Sequence, residues 1–366
     1  MAAVELNSLF AGKYKDKRVL LTGHTGFKGS WLALWLEQMG AKVKGISLPG
    51  EDADTHWEQL VLSTVEDTRI DILESGKLKD AIVEYSPEIV FHLAAQSLVR
   101  RSYTDPLNTW ATNVMGTANV LEACRICPSV KAVVIITTDK CYDNKEWIWG
   151  YRENDALGGH DPYSASKAAV ELLVSSYQRS FFHNEGAPLI ATARAGNVIG
   201  GGDWSDDRLI PDIVKNNLEG TSARIRSPYS TRPWQHVLES LSAYLLLGQR
   251  LLENDASLAE SWNFGPGNEG NCSVLDVLGY LHDSWPELKW NIEENTGPHE
   301  AGMLQLDCTK ALHYLSWRPV WGLEEGISQT AKWYRSWQEN RNPISLQQLQ
   351  NYVQDARKSG AIWCGS

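Results

Sequence analysis

The sequence predicts an α/β protein, a doubly wound parallel sheet carrying a smaller, discontinuous α/β lobe for a ligand. Three observations lead there. Short β-branched runs alternate with helical patterns through the first 195 residues, the rhythm of a sheet wrapped by helices. A Gly-rich turn joins the first strand to the first helix. Beyond Gly196 the rhythm breaks, and two stretches rich in Gly, Asp and Pro interrupt it.

The expected strands are Arg18–Thr22, Lys42–Ser47, Thr68–Asp71, Ile89–Leu93, Val130–Thr137 and Leu189–Arg194. Between them the pattern predicts helices over Lys28–Met39, Gly76–Tyr85, Asn108–Ile126 and Tyr163–His183. Residues 1–195, rejoined by 236–264 and 322–366, are expected to form the sheet domain, and 196–235 with 265–321 the lobe. Such a lobe covers the C-terminal edge of the sheet, where open α/β folds bind ligands. A last amphipathic helix, Leu346–Arg357, carries Leu346, Leu349, Tyr352, Val353 and Ala356 on one face and is read as packing.

Composition narrows the function. With 34 basic against 45 acidic residues the formal net charge is -11, which disfavours nucleic acid and anionic membranes as partners. An anionic substrate must then meet a local basic cluster. No apolar run reaches membrane-spanning length and no leader pattern opens the chain, so a cytoplasmic protein is expected. The six cysteines lack the dense spacing of a disulfide framework, and Cys124-x-x-Cys127 has no second ligand pair beside it, so no metal is expected. The sixteen tryptophans are read as core fillers.

The turn reads Gly23-His24-Thr25-Gly26-Phe27-Lys28-Gly29. Glycines at this spacing allow a tight turn and the close approach of a pyrophosphate to a helix N-terminus. The strand before it and the helix after it make this a dinucleotide-binding, Rossmann-type unit. The ribose-binding acid is not evident, since the second strand ends at Ser47-Leu48-Pro49, and NAD versus NADP stays open. Lys28 is read as a solvated lysine at the helix start, with a 2′-phosphate contact as the alternative.

Further on, Tyr163 and Lys167 stand in Y-x-x-x-K spacing at a helix start, which puts both on one face. The ammonium can then hold down the phenol pKa, so that Tyr163 takes a proton from a sugar hydroxyl as hydride leaves.

The order of Gly-rich turn, Ile135-Ile136-Thr137-Thr138 and Tyr163/Lys167 resembles the extended short-chain dehydrogenase/reductase superfamily. Thr138-Asp139-Lys140 resembles the Thr-Asp-Glu of its nucleotide-sugar 4,6-dehydratases, an acid pair that the epimerases lack. Lys140 in place of Glu, the turn itself and Arg194-Ala195-Gly196-Asn197 resemble the branch acting on CDP-glucose. The resemblance covers nearly the whole chain. It implies a bound NAD held by Gly23, Thr25, Gly26, Phe27, Gly29, Asp71, Ile72, Leu93, Ala94, Ala95, Asn113, Tyr163 and Lys167. It implies catalysis by Thr138, Asp139, Lys140, Tyr163 and Lys167, with oxidation at C4, loss of water across C5 and C6, and hydride return to C6. Gln96, Asn197, Arg208, Arg232 and His299 are implied as contacts to the CDP-hexose. The helices Asn108–Ile126 and Tyr163–His183 are implied to pair in a four-helix interface of a homodimer or homotetramer. A 4-epimerase or reductase would need no Asp139, and a non-catalytic dinucleotide sensor would need neither Tyr163 nor Lys167.

Overall fold

The computed structural model describes residues 5–50, 55–293 and 301–365. Among these, twelve strands form three sheets: β1 (Arg18–Thr22), β2 (Lys42–Ser47), β3 (Val65–Arg69), β4 (Ile89–His92), β5 (Ala132–Ile136), β6 (Leu189–Ala195), β7 (Asn197–Ile199), β8 (Ala223–Ile225), β9 (Thr231–His236), β10 (Ser261–Phe264), β11 (Asn271–Ser273) and β12 (Trp290–Ile292). The main sheet has the order β10-β6-β5-β4-β1-β2-β3 and is parallel throughout. Strand order reverses between β1 and β4, and the crevice beyond their carboxyl ends is where such sheets bind dinucleotides.

The central strands are apolar because helices cover both faces. In β5, Ala132-Val133-Val134-Ile135-Ile136 is buried at every position. The edge strand β3 is the opposite, reading Val-Glu-Asp-Thr-Arg, and it begins three residues before the expected Thr68. At an edge, charges need partners rather than burial: Glu66 pairs with Lys44, and Asp67 with His24 and Arg69.

The helices Phe27–Gln38, Ser75–Tyr85 and Pro162–Phe181 lie close to expectation. Asp161 caps the last of these by accepting from Ser164 N, with Pro162 in its first turn. The helix expected over Asn108–Ile126 is instead three segments, an α-helix Pro106–Trp110, a π-helical turn Ala111–Met115 and an α-helix Gly116–Ile126. The wide turn accompanies an inward-held Asn113, whose amide reaches both Gln96 and Ser166.

Each face of the sheet has its own core. One gathers the helices Phe27–Gln38, Val237–Leu252, Leu323–Asn340 and Ser345–Lys358 around Trp31, Trp35, Trp317, Trp333 and Trp363, all fully buried. At about 25 cal/mol per Å2 and roughly 200 Å2 for each ring, every such Trp contributes on the order of 5 kcal/mol before ordering costs. The other face packs Leu20, Val90 and Val133 against Ile82, Leu121 and Val174, and takes up Cys124 and Cys127 as buried thiols. In the last helix Leu349, Tyr352, Val353 and Ala356 are buried as expected, whereas Leu346 is 39% exposed and lies off that face.

The five strands outside the main sheet fall in 196–235 and 265–321, with β9 overrunning by one residue. There β9 pairs with β7 in parallel and with β11 antiparallel, and β8 pairs with β12. Among the described residues no helix is long and apolar enough to cross a membrane.

Candidate active site

A cavity of about 1070 Å3 opens over the crevice, at the upper end of what one small ligand needs. Its floor is the Gly-rich turn, and each glycine there has a separate reason. Gly23 has φ +75°, and a Cβ on it would lie 2.8 Å from Ala94 N. A Cβ on Gly29 would collide with the Gly23 carbonyl oxygen, whereas one on Gly26 would meet that oxygen at only 3.4 Å. Two glycines therefore fold the turn, and Gly26 leaves its outer side clear for a ligand. Thr25, Phe27, Asp71, Ile72, Leu93, Ala94 and Ala95 line the same part. This cradle, ahead of a helix N-terminus, fits a dinucleotide pyrophosphate.

Thr138, Lys140, Tyr163 and Lys167 line the next part, with Asp139 buried just beneath it. Asp139 Oδ1 accepts from Thr138 Oγ1 at 3.0 Å and from Lys140 Nζ at 3.2 Å, while Oδ2 has no partner among the described residues. Lys140 Nζ also donates to Asn197 Oδ1 at 3.2 Å, so Asn197 belongs to the catalytic cluster. Burial pushes the Lys140 pKa down against Asp139, and its helping cations are Arg232 and Arg208.

Burial also dominates at Tyr163, whose phenol is pushed up to about 12 although a hydrogen bond with Thr138 and the charge of Arg208 oppose it. Lys167 donates to Ile136 O at 3.0 Å and is pushed down to about 8 by burial, with Glu171 as its chief counterweight. In this state, then, burial outweighs the effect expected from the Tyr163/Lys167 spacing.

One turn beyond Lys167, Glu171 forms a buried ion pair with Arg194 at 2.8 Å. Its carboxylate also accepts from Thr137, Thr192 and Ser261, and Arg194 donates on to Tyr142. Burial works to raise the Glu171 pKa, but Arg194 and the hydroxyls hold it low. This network ties the catalytic helix to β6, β10 and the end of β5. A Glu on an otherwise apolar helix face, beside Val170 and Val174, was the signal for it in the sequence.

Arg208 lines the cavity and donates to Ser97 O at 3.3 Å. Arg232 is buried and donates to Thr231 O and Ala301 O. The structure adds Arg100 and Arg226, both paired with Asp207. Lys28 is turned into the cavity, 3.3 Å from Tyr244 OH, and burial pushes it down to about 7, so it is not a solvated lysine.

Two expected contacts have different work. Gln96 is buried, with its amide donating to Leu98 O and Thr109 Oγ1 while its oxygen accepts from Leu98 N; it folds the turn and does not line the cavity. Asn113 exchanges hydrogen bonds with the Gln96 backbone and donates to Ser166, joining that turn to the catalytic helix. His299 lies outside the described residues.

A family model described as GDP-mannose 4,6 dehydratase matches residues 20–330. A CDP-glucose 4,6-dehydratase of Salmonella typhimurium is 47% identical over 93% of this chain and 97% of its own. The dTDP-glucose 4,6-dehydratase 1 of Escherichia coli is 28% identical over 88% and 95%. Among solved structures, the dTDP-glucose 4,6-dehydratase of Streptomyces venezuelae, with NAD bound, superposes with a TM-score of 0.75 at 25% identity, covering 88% of this chain and 98% of that one. With a cradle for a dinucleotide, Tyr163 and Lys167 on one helix and the bonded Asp139–Lys140 pair between them, the chain belongs to the nucleotide-sugar 4,6-dehydratases, in their CDP-glucose 4,6-dehydratase branch.

Proposed function

We propose that this is a cytoplasmic enzyme that converts CDP-D-glucose to CDP-4-keto-6-deoxy-D-glucose with NAD as a cofactor that is not consumed. The observation that carries this reading is the bonded Asp139–Lys140 pair under the cavity that Tyr163 and the Gly-rich turn line. A 4-epimerase needs no such pair. The free cysteines suit a reducing compartment.

The Gly23–Gly29 turn would hold the pyrophosphate of NAD, with Asp71, Ile72, Leu93, Ala94 and Ala95 flanking it, and the bound cofactor would supply a reversible hydride acceptor for C4 and C6. Tyr163 accepts the O4 proton in concert with loss of the C4 hydride, since a phenol with a pKa near 12 is not a free phenolate at neutrality. Thr138 bonds the phenol and Arg208 favours its charged form.

Once C4 is a ketone, C5 is acidic. Lys140, with its pKa lowered by burial, passes a proton to Asp139 along their hydrogen bond; the neutral amine then takes the C5 proton, and Asp139 gives the proton it received to the departing C6 hydroxyl. Arg208 and Arg232 face the diphosphate, where guanidinium groups bond phosphate oxygens well. Residues 196–235 and 265–321 act as the sugar-nucleotide lobe. Leu107, Met115, Leu172 and Phe181 are exposed between Pro106 and Phe181 and supply apolar surface that a homodimer or homotetramer would bury through four helices.

The test offers purified enzyme CDP-, dTDP-, GDP- and UDP-glucose and scores the 4-keto product. CDP-glucose is expected to be converted best. No keto product from it, or better conversion of another nucleotide, would overturn the reading.

A further inference from the structure

The cavity runs past the catalytic cluster into an end that the chemistry at C4 to C6 does not use. Its wall is the first turn of the helix Leu209–Leu218 together with β8, where Asp212, Arg224 and Ile225 line it. Arg208 directly precedes that helix and Arg226 directly follows β8. A nucleotide sugar with its hexose at Tyr163 and its diphosphate on these arginines has its base at this end, an inference resting on the function proposed above.

Two kinds of group meet the base there. Among the described residues the strand β8 pairs along one edge only, with β12, and Ile225 O accepts from Glu293 N on that edge. Alternation along a strand turns the Arg224 N–H and C=O to the opposite edge. One donor and one acceptor on a backbone can meet any pyrimidine, so β8 does not choose between bases. A side chain has to.

Asp212 differs from the other charged groups lining the cavity. Its side chain is 34% exposed, and among the described residues no hydrogen-bond donor reaches its oxygens. The nearest cation, Lys215 at 3.8 Å, donates instead to Asp206 and to Trp204 O. Burial pushes the carboxyl pKa up, Lys215 opposes this and Asp207 adds to it, as for an acceptor short of donors.

We propose that Asp212 selects the nucleobase by accepting a hydrogen bond from the exocyclic amine of cytosine. Uracil and thymine carry a carbonyl oxygen at that ring position. Two acceptors would then face each other with neither satisfied, whereas the cytosine amine supplies the donor that Asp212 lacks.

The test measures binding of CDP and UDP to the NAD-loaded enzyme, and kcat/KM for CDP-glucose and UDP-glucose, in wild type, Asp212→Leu, Asp212→Asn and Asp206→Asn. Wild type should prefer the cytosine ligand by about tenfold or more, and Asp212→Leu should bring the two within about threefold, as expected for one base-edge contact. Asp212→Asn, with a donor as well as an acceptor, should gain affinity for UDP. Asp206→Asn, which removes a charge beside the same lysine without touching the cavity, should keep the wild-type ratio. A wild-type ratio in Asp212→Leu, or an equal shift in Asp206→Asn, would overturn the assignment. Failure of the wild-type enzyme to convert CDP-glucose at all would instead remove the substrate reading.

Discussion

Replacing Glu171 by Gln removes the buried anion under the catalytic helix and leaves Arg194, 2% exposed at its side chain, without a counter-charge. Breaking such a pair from one side costs about 3–5 kcal/mol. The Gln carbonyl can still accept from some of the four groups that now donate to Glu171, so the loss should fall near the lower end, about 3 kcal/mol. At a slope of about 3 kcal/mol per molar urea this lowers the unfolding midpoint by about 1 M. A purely structural role would stop there. Glu171 is also the chief influence raising the Lys167 pKa against burial, so its neutralisation lets Lys167 lose its proton at lower pH. If the ammonium is the active form, the alkaline limb of kcat moves to lower pH in the variant. Adding Arg194→Met to Glu171→Gln should restore part of the stability, because no unpaired charge then remains. A midpoint within about 0.2 M of wild type, or an unmoved alkaline limb, would refute the positioning role.

Lys140→Met, run in deuterated water, should still oxidise C4 in a single turnover while deuterium entry at C5 and loss of water both fail; undiminished entry would leave Lys140 an electrostatic role alone. Gly29→Ala should misfold the turn, because its Cβ meets the Gly23 backbone, whereas Gly26→Val should fold with an unchanged urea midpoint but weaker NAD binding by calorimetry, because its nearest protein atom is 3.4 Å from a Cβ; equal NAD affinity in Gly26→Val would mean that the pyrophosphate does not approach there. Glu239 is fully buried, and burial pushes it up to about 7 despite hydrogen bonds from Val320 N, Trp321 N and Tyr352 OH. Its folded pKa exceeds the unfolded value, so its stabilisation is full below the unfolded pKa of about 4.3 and is lost as pH rises through 7. The lost amount is roughly 4 kcal/mol, and Glu239→Gln should flatten the fall in urea midpoint between pH 5 and 8; an identical slope in the variant would count against it.

What could be read from the sequence follows from which forces leave a pattern in it. A strand covered on both faces, such as β5, must be apolar at every position, and the turn at Gly23 and Gly29 tolerates no side chain, so both were plain. The edge strand β3 left no such pattern, because its Glu66 and Asp67 are satisfied by partners on other elements. The same blindness explains the site. Gln96 stands just past a strand end and Asn113 on the inward side of a helical turn, as ligand-binding amides do, and whether such a group folds a turn or touches a ligand depends on partners that only the fold brings together. Lys28 looked solvated because its neighbours in sequence are glycines and a helix start, while its contacts, Tyr244 and the catalytic cluster, are far away in the chain. Residues that act through backbone geometry or short spacing were therefore legible. Those that act through distant charge, Glu171 with Arg194 above all, become legible only when a charged residue on an apolar helix face is taken as a demand for a buried partner.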